Sequence, residues 1–492
     1  MKDCIPALSV RSGGTFDNWP MTLRLPTTFF YIVSVCMCMW PAHAKPTHAL
    51  PISVQEALKT ARLPPEALSV VVLPVHAYEA RLAYQEGRAR NPASLMKLVT
   101  TAAALDLLGP AFTWRTPVFL EGQQRDGVWH GNVYIKGSGD PRLGVEQLWL
   151  LMRRVQALGI RQIQGDIVLD RSVFSVPAQD PGGFDGEPLR PYNAAPDALL
   201  INFKTVRLQF VPDPDHQVAR VHMEPPLAEV KWPTTVPLST AECGDYRAGL
   251  KADFQQPLAI SFAGSYPLSC GEKIWQVAYS DPAQFASRAV WGMWLQLGGQ
   301  LSGTVRDGTV ASAAKPMLSH ESPTLAEVVR DINKYSNNVM ADQVFLTLGA
   351  QKSGIGSSAT AAESVYAWWR ERLPAAEPPL LDKGSGLSRE ARISAQSLAA
   401  LLHWSWAQGF MPELVASLPI NGLDGTLKRS KSTAMAHLKT GSLRDVMGIA
   451  GYVDAANGQR FVLVAIVNHA NANQARPVMD ALIDWTAGKN DR

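Results

Sequence analysis

Stretches with helical and with strand-like spacing of hydrophobic residues alternate along the chain. An uninterrupted apolar run at 68–74 predicts a buried strand, and apolar positions three and four residues apart from Leu95 to Leu105 predict a helix. Further helices are predicted at 325–334, 340–348, 361–372, 395–406 and 476–485, and strands at 435–440, 446–453 and 461–467. These elements predict a sheet with helices on its faces.

Between residues 114 and 318 the pattern changes to short strands punctuated by Gly, Pro and Asp. Two similar helix–strand units, at 148–170 and 285–307, flank an alternating, proline-rich stretch that begins near Val206. This arrangement predicts an α+β or α/β fold whose antiparallel sheet is flanked by helices and interrupted by a β-rich, nested two-domain insertion. The predicted domains are 45–113 with 319–492, an inserted domain of 114–205 with 271–318, and a nested domain of 206–270.

The N-terminal segment is predicted to be a signal peptide over 1–44, with Met21 as an alternative start. A short apolar run at 29–40 follows Arg24 and precedes small residues spaced as in a cleavage site at 41–44. The run is shorter than the roughly 20 apolar residues that a spanning helix needs. We therefore expect an exported, periplasmic protein that begins near Lys45, with a retained N-terminal anchor as the alternative.

Composition excludes several classes of function. The 492 residues hold 46% hydrophobic residues, which is enough for more than one core, and 46 basic against 43 acidic residues give a net charge of +3. This balance, without a basic patch interleaved with aromatics, predicts no nucleic-acid partner. No HExxH or paired CxxC motif occurs, so neither a metal nor another cofactor is predicted.

Cysteine usage fits export. Three of the five cysteines, Cys4, Cys36 and Cys38, lie in the leader, which leaves Cys243 and Cys270 in the mature chain. Two cysteines in an exported chain predict a disulfide, with a pair of buried free thiols as the alternative.

The first candidate for chemistry is a serine–lysine pair at the start of the helix after Pro92. Ser94 and Lys97 are three residues apart, so both project from one face of the first helical turn. Helix N–H groups at this end disfavour a lysine cation, and a neutral lysine can accept the proton of a serine hydroxyl. On its own this pair is weak evidence, because an ordinary solvated lysine fits the same spacing.

Two further motifs follow in the region predicted to pair with the first. Ser336 and Asn338 lie at the junction of two helices, and Lys439, Thr440 and Gly441 lie on a strand before a hairpin. Each motif alone has an ordinary structural explanation, a turn or a solvated strand end. The order Ser-x-x-Lys, Ser-x-Asn, Lys-Thr-Gly behind a signal peptide is characteristic of penicillin-binding proteins and serine β-lactamases.

The chain resembles the class C low-molecular-mass penicillin-binding proteins, a family of D-Ala-D-Ala carboxypeptidases and endopeptidases. Similar segments outside the three motifs are 135–141, 382–389 and 421–427, and the long insert between the first two motifs is the family's most distinctive mark. The resemblance implies a transpeptidase-type domain like that of β-lactamases, interrupted by nested domains.

The resemblance also assigns roles to the motif residues. Ser94 is the expected nucleophile, Lys97 its base, Ser336 the relay of a proton to the leaving amine, and Asn338 the group that orients Lys97 and the substrate amide. The substrate-binding residues, including those for the terminal carboxylate, are expected to be Lys439, Thr440, Gly441 and Ser442. The backbone N–H groups of Ser94 and Ser442 are the expected oxyanion hole.

Other residues are assigned by the resemblance with less support from their surroundings. Family members use an aspartate of the insert to hold the free amine of a diaminopimelate side chain, and Asp180 or Asp185 is expected to do so here. Arg389 and Ser385 are expected to line the cleft, and His437 is given no role.

The predicted function is an exported serine DD-peptidase that trims terminal D-alanine from peptidoglycan stem peptides, with cross-link cleavage as a further activity. β-Lactams are the expected covalent inhibitors. The alternatives are a β-lactamase on the same scaffold, which would need fast deacylation, and a catalytically idle wall-binding protein. The sequence makes no prediction of the oligomeric state.

Overall fold

Residues 48–489 are described by a computed structural model, so the predicted signal peptide lies outside the described residues. The helices in this part of the chain are α1 (Ile52–Thr60), α2 (Met96–Leu108), α3 (Val145–Ala157), α4 (Tyr246–Leu250), α5 (Phe285–Gln296), α6 (Leu325–Tyr335), α7 (Asn338–Ser353), α8 (Ser358–Arg372), α9 (Ala395–Trp406), α10 (Met411–Ser417) and α11 (Arg476–Thr486). Among them, none unites the length and the apolar composition that a membrane span requires.

The strands of the same residues fall into three main sheets and one small pair. They are β1 (Leu68–Pro74), β2 (Leu82–Tyr84), β3 (Arg115–Arg125), β4 (Val128–Lys136), β5 (Gln162–Gln164), β6 (Ile167–Asp170), β7 (Thr205–Asp213), β8 (Val218–Glu224), β9 (Thr235–Ser239), β10 (Ala252–Asp253), β11 (Ser261–Phe262), β12 (Tyr266–Pro267), β13 (Lys273–Ala278), β14 (Gln300–Leu301), β15 (Val305–Asp307), β16 (Leu318–Glu321), β17 (Ala436–Leu443), β18 (Val446–Asp454) and β19 (Arg460–Asn468).

The first sheet joins the two ends of the chain. Its strand order is β17-β18-β19-β1-β2, and all neighbours are antiparallel. Strand residues alternate between two cores, because successive side chains point to opposite faces. On β19, for example, Val462 and Val464 pack with helices α2 and α6 to α9, whereas Leu463 and Ala465 pack with α1 and α11. The predicted sheet with helices on both faces is thereby observed, with β17 at one edge.

Helix α2 runs through the first of these cores and is buried on every side from Met96 to Leu105. The sequence pattern predicted a helix with one apolar face. Three consecutive alanines, 102–104, leave no bulky side chain on the remaining faces, so α6, α7, α8 and α9 all approach it. Because the first turn of the helix is buried, the Lys97 side chain lies in the protein interior, where a charged amine is disfavoured.

The second sheet is a mixed sheet built largely from the two predicted helix–strand units. The units pair with each other strand by strand, since β14 runs parallel to β5 and β15 runs parallel to β6. The hairpin β3–β4 and the strand β16 complete it. Because β16 pairs antiparallel with β3, Arg115 faces Glu321, and the inserted segment begins and ends at the same place.

The third sheet lies between the two units in the sequence. Its strand order is β12-β9-β8-β7-β13, so it extends to Ala278, beyond the predicted nested-domain end at 270. Cys243 and Cys270 form a disulfide in this region, with Cα atoms 4.7 Å apart. The predicted domain limits stay a prediction, although each predicted domain contains a sheet of its own.

Removing this disulfide should lower the stability of the nested region. The crosslink spans a sequence separation of 27 residues, and loop-closure entropy for that length corresponds to ~3–4 kcal/mol. Urea unfolding of the double variant Cys243→Ser/Cys270→Ser, followed by tryptophan fluorescence, should show this loss, and reduction of the wild-type protein should reproduce it. An unchanged transition in both samples would contradict the prediction.

Candidate functional site

Ser94 lies in a tight turn that several buried polar groups hold in place. The turn enters a 3₁₀ segment, Ala93–Leu95, that continues directly into α2, and Ala93 has a left-handed backbone with φ of 47°. The Asn91 side chain accepts a hydrogen bond from the Ala93 N–H at 2.8 Å and donates one to the Ser388 carbonyl at 2.9 Å. The Asn91 N–H in turn donates to the side chain of Asn468 at 2.8 Å. These contacts stabilise the unfavourable left-handed backbone of Ala93, next to the serine.

The Lys97 amine lies at the centre of the site. Its Nζ is 2.9 Å from Ser94 Oγ, 2.7 Å from Asn338 Oδ1 and 2.7 Å from the Ser385 carbonyl oxygen. Burial lowers the pKa of Lys97 to about 7, and the nearby Asp342 carboxyl acts in the opposite direction. The sequence analysis expected the helix N–H groups to disfavour the lysine cation; in the structure, burial is the main cause of the lowered pKa.

The three contacts of Lys97 determine where its lone pair points. The oxygens of Asn338 and Ser385 can only accept hydrogen bonds, so each takes one N–H of the amine. A neutral amine has two N–H groups, and its lone pair is then left for the hydroxyl of Ser94. The geometry is therefore suited to proton transfer from Ser94 to Lys97, with the fraction of neutral amine substantial near neutral pH.

Ser336 and Asn338 are brought to the site by a sharp turn between two helices. Ser336 ends α6 in a left-handed conformation with φ of 57°, and the Asn337 side chain caps α7 by accepting from the Met340 N–H at 3.1 Å. This turn places Ser336 at the end of α6 and Asn338 at the first position of α7. Asn338 contacts Lys97, as above, while the hydroxyl of Ser336 contacts the amine of Lys439.

Lys439 lies behind Ser336 rather than in the cavity. It is fully buried, and its Nζ donates to Ser336 Oγ at 2.9 Å and to the Thr440 carbonyl oxygen at 2.7 Å. Burial, and then the charge of Lys97, lower the pKa of Lys439 well below its usual range. The predicted direct contact between this lysine and a substrate carboxylate stays a prediction, and in the structure the amine is bonded to Ser336 and Thr440 instead.

Gly441 is required for the approach of β17 to the turn that carries Ser94. A Cβ atom at this position would lie 2.6 Å from the Pro92 carbonyl oxygen and 3.1 Å from Leu95 Cγ. The sequence suggested that this glycine makes room for substrate. In the structure it makes room for the protein's own backbone, and this packing brings β17 next to the serine.

A cavity of about 300 Å³ opens beside these elements. Its lining includes Ser94 and Ser336, together with Thr440, Gly441 and Ser442 of β17. The Thr440 hydroxyl donates to that of Thr426 at 2.7 Å, a residue that the sequence reasoning left unassigned within segment 421–427. The motif residues predicted from the sequence therefore meet around one cavity, except for Lys97, Asn338 and Lys439, which lie outside its lining.

A loop of the insert lies over Asn338. The Asn338 amide donates to the Tyr192 carbonyl oxygen at 3.3 Å, and the Tyr192 hydroxyl donates to Asp185 at 2.8 Å. Burial opposes ionisation of Asp185, but bonds from Tyr192 and Asn193 outweigh it and hold its pKa below the usual range. Asp180 instead accepts a bond from Gly182 N–H at 2.9 Å within its own turn. Of the two predicted aspartates, Asp185 has the closer connection to the site.

The remaining predicted cleft residues take different positions. The Arg389 guanidinium lies over the Phe184 ring, 4.8 Å from its centre, on the same insert loop. Ser385 acts through its backbone, because its carbonyl oxygen binds Lys97 and its N–H donates to Asp342 at 2.7 Å. Among the described residues, no cluster of three or more His, Cys, Asp or Glu side chains is arranged to hold a metal ion.

Asp342 is the main residue that sequence reasoning missed. Its carboxyl accepts the Ser385 N–H, and burial raises its pKa. A signal was present in part, because Asp342 lies on the predicted helix 340–348; in the structure this helix begins at Asn338, so the two residues, four apart, share a face. The carboxyl holds the backbone of Ser385, the residue whose carbonyl oxygen binds Lys97, and thus orients the amine indirectly.

Comparison with known proteins gives matches along almost the whole described chain. Residues 50–489 match the D-Ala-D-Ala carboxypeptidase 3 (S13) family. A D-alanyl-D-alanine carboxypeptidase of Actinomadura sp. (strain R39) is 28% identical over 451 residues, 84% of this chain and 80% of the relative. The D-alanyl-D-alanine carboxypeptidase DacB of Haemophilus influenzae (strain ATCC 51907 / DSM 11121 / KW20 / Rd) is 25% identical over 400 residues, 76% of this chain and 80% of the relative.

Solved structures show the same fold. Penicillin binding protein 4 of Haemophilus influenzae matches with a TM-score of 0.71 at 21% identity, over 88% of this chain and 98% of that one. Its complex with a β-lactam matches with a TM-score of 0.68 at 21% identity and the same coverage. The predicted fold class is confirmed by this likeness.

Proposed function

The chain belongs to the D-Ala-D-Ala carboxypeptidase 3 (S13) family, and on that premise we propose that it hydrolyses D-alanyl-D-alanine bonds of peptidoglycan stem peptides through an acyl-enzyme on Ser94. The family assignment agrees with the prediction from the three motifs. The observation that carries the mechanism is the position of Lys97 Nζ, 2.9 Å from Ser94 Oγ with its two N–H groups occupied by carbonyl oxygens.

In the first step Ser94 Oγ attacks the carbonyl carbon of the penultimate D-alanine. Its proton passes to the neutral amine of Lys97, and an ester bond to the serine forms as the peptide bond breaks. The N–H groups of Ser94 and Ser442 are proposed to stabilise the oxyanion, since β17 is brought against the serine turn by Gly441. Loss of one such donor typically costs ~3 kcal/mol of transition-state stabilisation.

Departure of the leaving amine needs a proton donor in the cavity. Ser336 lines the cavity, and its hydroxyl is hydrogen-bonded to Lys439, so it is proposed to carry a proton to the leaving amine. Thr440 lines the same side and is proposed to bind the terminal carboxylate through its hydroxyl. Buried Lys439 is proposed to orient Ser336, to which its amine is hydrogen-bonded, rather than to contact this carboxylate.

The acyl side of the substrate is proposed to lie along β17. This strand pairs with β18 on one side, and residues 419–421 pair with its first half on the other side. The stretch from Lys439 to Ser442 is the part of that edge proposed to accept an extended peptide by β-augmentation. The Asn338 amide and the insert loop with Asp185 lie on this side of the serine. Asp185 is proposed to bind the free amine of the diamino acid, with the more distant Asp180 as the second candidate.

A hydrolase of this kind acts where peptidoglycan is assembled, and we place the protein in the periplasm. The Cys243–Cys270 disulfide supports this location, because such bonds persist in oxidising compartments. β-Lactams are proposed to acylate Ser94 in place of the stem peptide. A labelled penicillin should therefore give a persistent covalent band, and a pentapeptide ending in D-Ala-D-Ala should release D-alanine; failure of both assays would refute the proposal.

The rate of acylation should rise with pH and level off above about pH 7. Lys97 accepts a proton only in its neutral form, so below its pKa of about 7 the rate falls about tenfold per pH unit. The measurement is the second-order rate constant for labelled penicillin from about pH 5 to about pH 9.

A matched variant tests the assignment of this midpoint to Lys97. Asp342 raises the pKa of Lys97, and Asp342→Asn keeps an oxygen that can accept the Ser385 N–H. The midpoint should therefore move to lower pH in this variant. A profile that is flat, or a midpoint that moves upward, would contradict Lys97 as the base.

A further inference from the structure

A second cavity lies on the inserted segment, between the helices α3 and α5 and the strand β16. Its volume of about 540 Å³ is in the range of sites that hold small molecules, ~300–1,000 Å³. Its lining comes from the two helices, from the end of β8 with Pro226, and from β16. None of these residues lines the cavity at Ser94, so this second cavity, which we call the α3–α5 groove, is separate from it.

Trp149 and Leu150 line the α3–α5 groove but lie outside the packed face of their helix. That face is complete without them, with apolar residues three and four positions apart: Leu148, Leu151, Met152 and Val155. Trp149 is 47% exposed and Leu150 is 37% exposed. Two large apolar side chains that lie together in a groove and outside the core indicate a binding surface.

His320 is a buried polar residue of the same groove that lacks a partner. It is 6% exposed, and neither of its ring nitrogens has a hydrogen-bond partner among the described residues. Burial, and then the charge of Arg154, lower the pKa of His320, so its ring is neutral at neutral pH. A neutral imidazole offers one N–H donor and one acceptor, which match a hydroxyl or an amide group. A ligand in the groove can supply the partner that the fold does not.

The other polar residues of the lining favour an uncharged ligand. They are two carboxylates and two amides: Glu146, Glu224, Gln147 and Gln296. Glu224 pairs with Arg207 at 2.8 Å, and no lysine or arginine among the described residues belongs to the lining itself. Glu146 therefore disfavours an anion in the groove, whereas its oxygens can accept hydrogen bonds from hydroxyl groups. A sugar meets both requirements, because its edge carries hydroxyl groups and the face of its ring presents C–H groups to an aromatic surface.

We propose that the α3–α5 groove binds the glycan of peptidoglycan, with a sugar ring stacked on Trp149 and an N-acetyl amide bonded to His320. The acetyl methyl group suits the apolar part of the lining, to which the adaptable side chains of Met223 and Met293 belong. The groove itself indicates an uncharged, amide-bearing sugar, and the choice of peptidoglycan rests on the proposed function. Glycan held on the insert would tether the stem peptides of the same strand and raise their effective concentration at Ser94.

Trp149→Ala should weaken sugar binding without impairing the reaction at Ser94. Isothermal titration calorimetry of the full-length mature protein with the tetramer of N-acetylglucosamine should show binding by the wild type. In Trp149→Ala the Kd should rise about tenfold, as expected from loss of the stacked ring, and Trp149→Phe should retain most of the affinity. Release of D-alanine from a soluble pentapeptide should keep the wild-type rate, whereas release from intact peptidoglycan should fall several-fold.

His320→Phe separates a role in binding from a role in the fold. The variant keeps a ring and removes both nitrogens, so Kd should rise about fivefold while the melting temperature stays the same or increases. A lower melting temperature with an unchanged Kd would show that the imidazole serves the fold and would overturn its part in the site. Tyr78→Ala is the matched control, because this aromatic residue is 92% exposed and does not line the groove, and its Kd should equal that of the wild type.

Several results would overturn the sugar site. They are no binding of the tetramer by the wild type, an unchanged Kd in Trp149→Ala, or equally tight binding of the tetramer of glucose, which lacks the N-acetyl group. A change of oligomeric state in Trp149→Ala without sugar binding would assign the surface to a second copy of the chain. Sugar binding by a protein that neither releases D-alanine nor reacts with labelled penicillin would overturn the proposed function and the choice of peptidoglycan, but not the sugar site.

Discussion

Replacement of Ser94 by alanine should eliminate the covalent penicillin adduct and lower D-alanine release by roughly a million-fold, the scale seen when a hydrolase loses its nucleophile. Ser94 Oγ lies 2.9 Å from Lys97 Nζ, the amine whose two N–H groups are taken by Asn338 and Ser385. Denaturing gel electrophoresis after incubation with labelled penicillin measures the first effect. Release of D-alanine from the pentapeptide measures the second.

Two further observations give this test its specificity. Ser358→Ala removes an exposed hydroxyl at the start of α8 and should label like the wild type. The Ser94→Ala protein should keep the wild-type melting temperature, because the side chain is only partly buried and loses a single contact, to Lys97. A labelled band in Ser94→Ala would show that another residue is the nucleophile and would refute the proposed mechanism.

The second large effect is expected at the base. Lys97→Met keeps the length of the side chain and removes the amine, and acylation should slow by roughly 10²–10⁴-fold, the usual contribution of a general base. The remaining activity should also lose the rise with pH near 7, because the titrating group is gone. Stopped-flow acylation measured across pH records both changes in one experiment.

Stability and activity can be separated in this variant. Loss of the amine leaves the buried acceptors of Asn338 and Ser385 without a donor, which costs about 1–3 kcal/mol for an unsatisfied group. Lys352→Met, at an exposed position on α7, is the control and should be neutral in both assays. A Lys97→Met enzyme that is destabilised but acylates at the wild-type rate would show that the lysine is structural only.

The arrangement within each motif could be predicted from the sequence, because each motif lies at the end of a regular element, whereas the convergence of the three was implied by the resemblance to penicillin-binding proteins. Ser94 and Lys97 occupy one helical turn, Ser336 and Asn338 flank a helix junction, and β17 ends in a hairpin. Local periodicity fixes these relations, and the structure brings all three together around Lys97 and Lys439.

What the sequence could not supply depends on contacts between distant segments. The burial of Lys439 behind Ser336 follows from the packing of β17 against the α6–α7 turn, and an exposed strand end was the simpler expectation. The reason for Gly441, a carbonyl of Pro92 within 2.6 Å of its missing Cβ, likewise appears only in three dimensions. The contact of Tyr192 with Asn338 joins residues 146 positions apart.

The pairing of β3 with β16 has a consequence for how the chain reaches its native topology. Between Lys97 and Ser336 lie about 240 residues, and the entropy of closing such a loop would oppose their encounter. Once the inserted segment has folded, with Arg115 facing Glu321, the effective loop shrinks to about 33 residues, which reduces the closure term by ~2 kcal/mol. Early folding of the insert would therefore hold the two flanking segments together and accelerate the encounter of the nucleophile Ser94 with the proton relay Ser336.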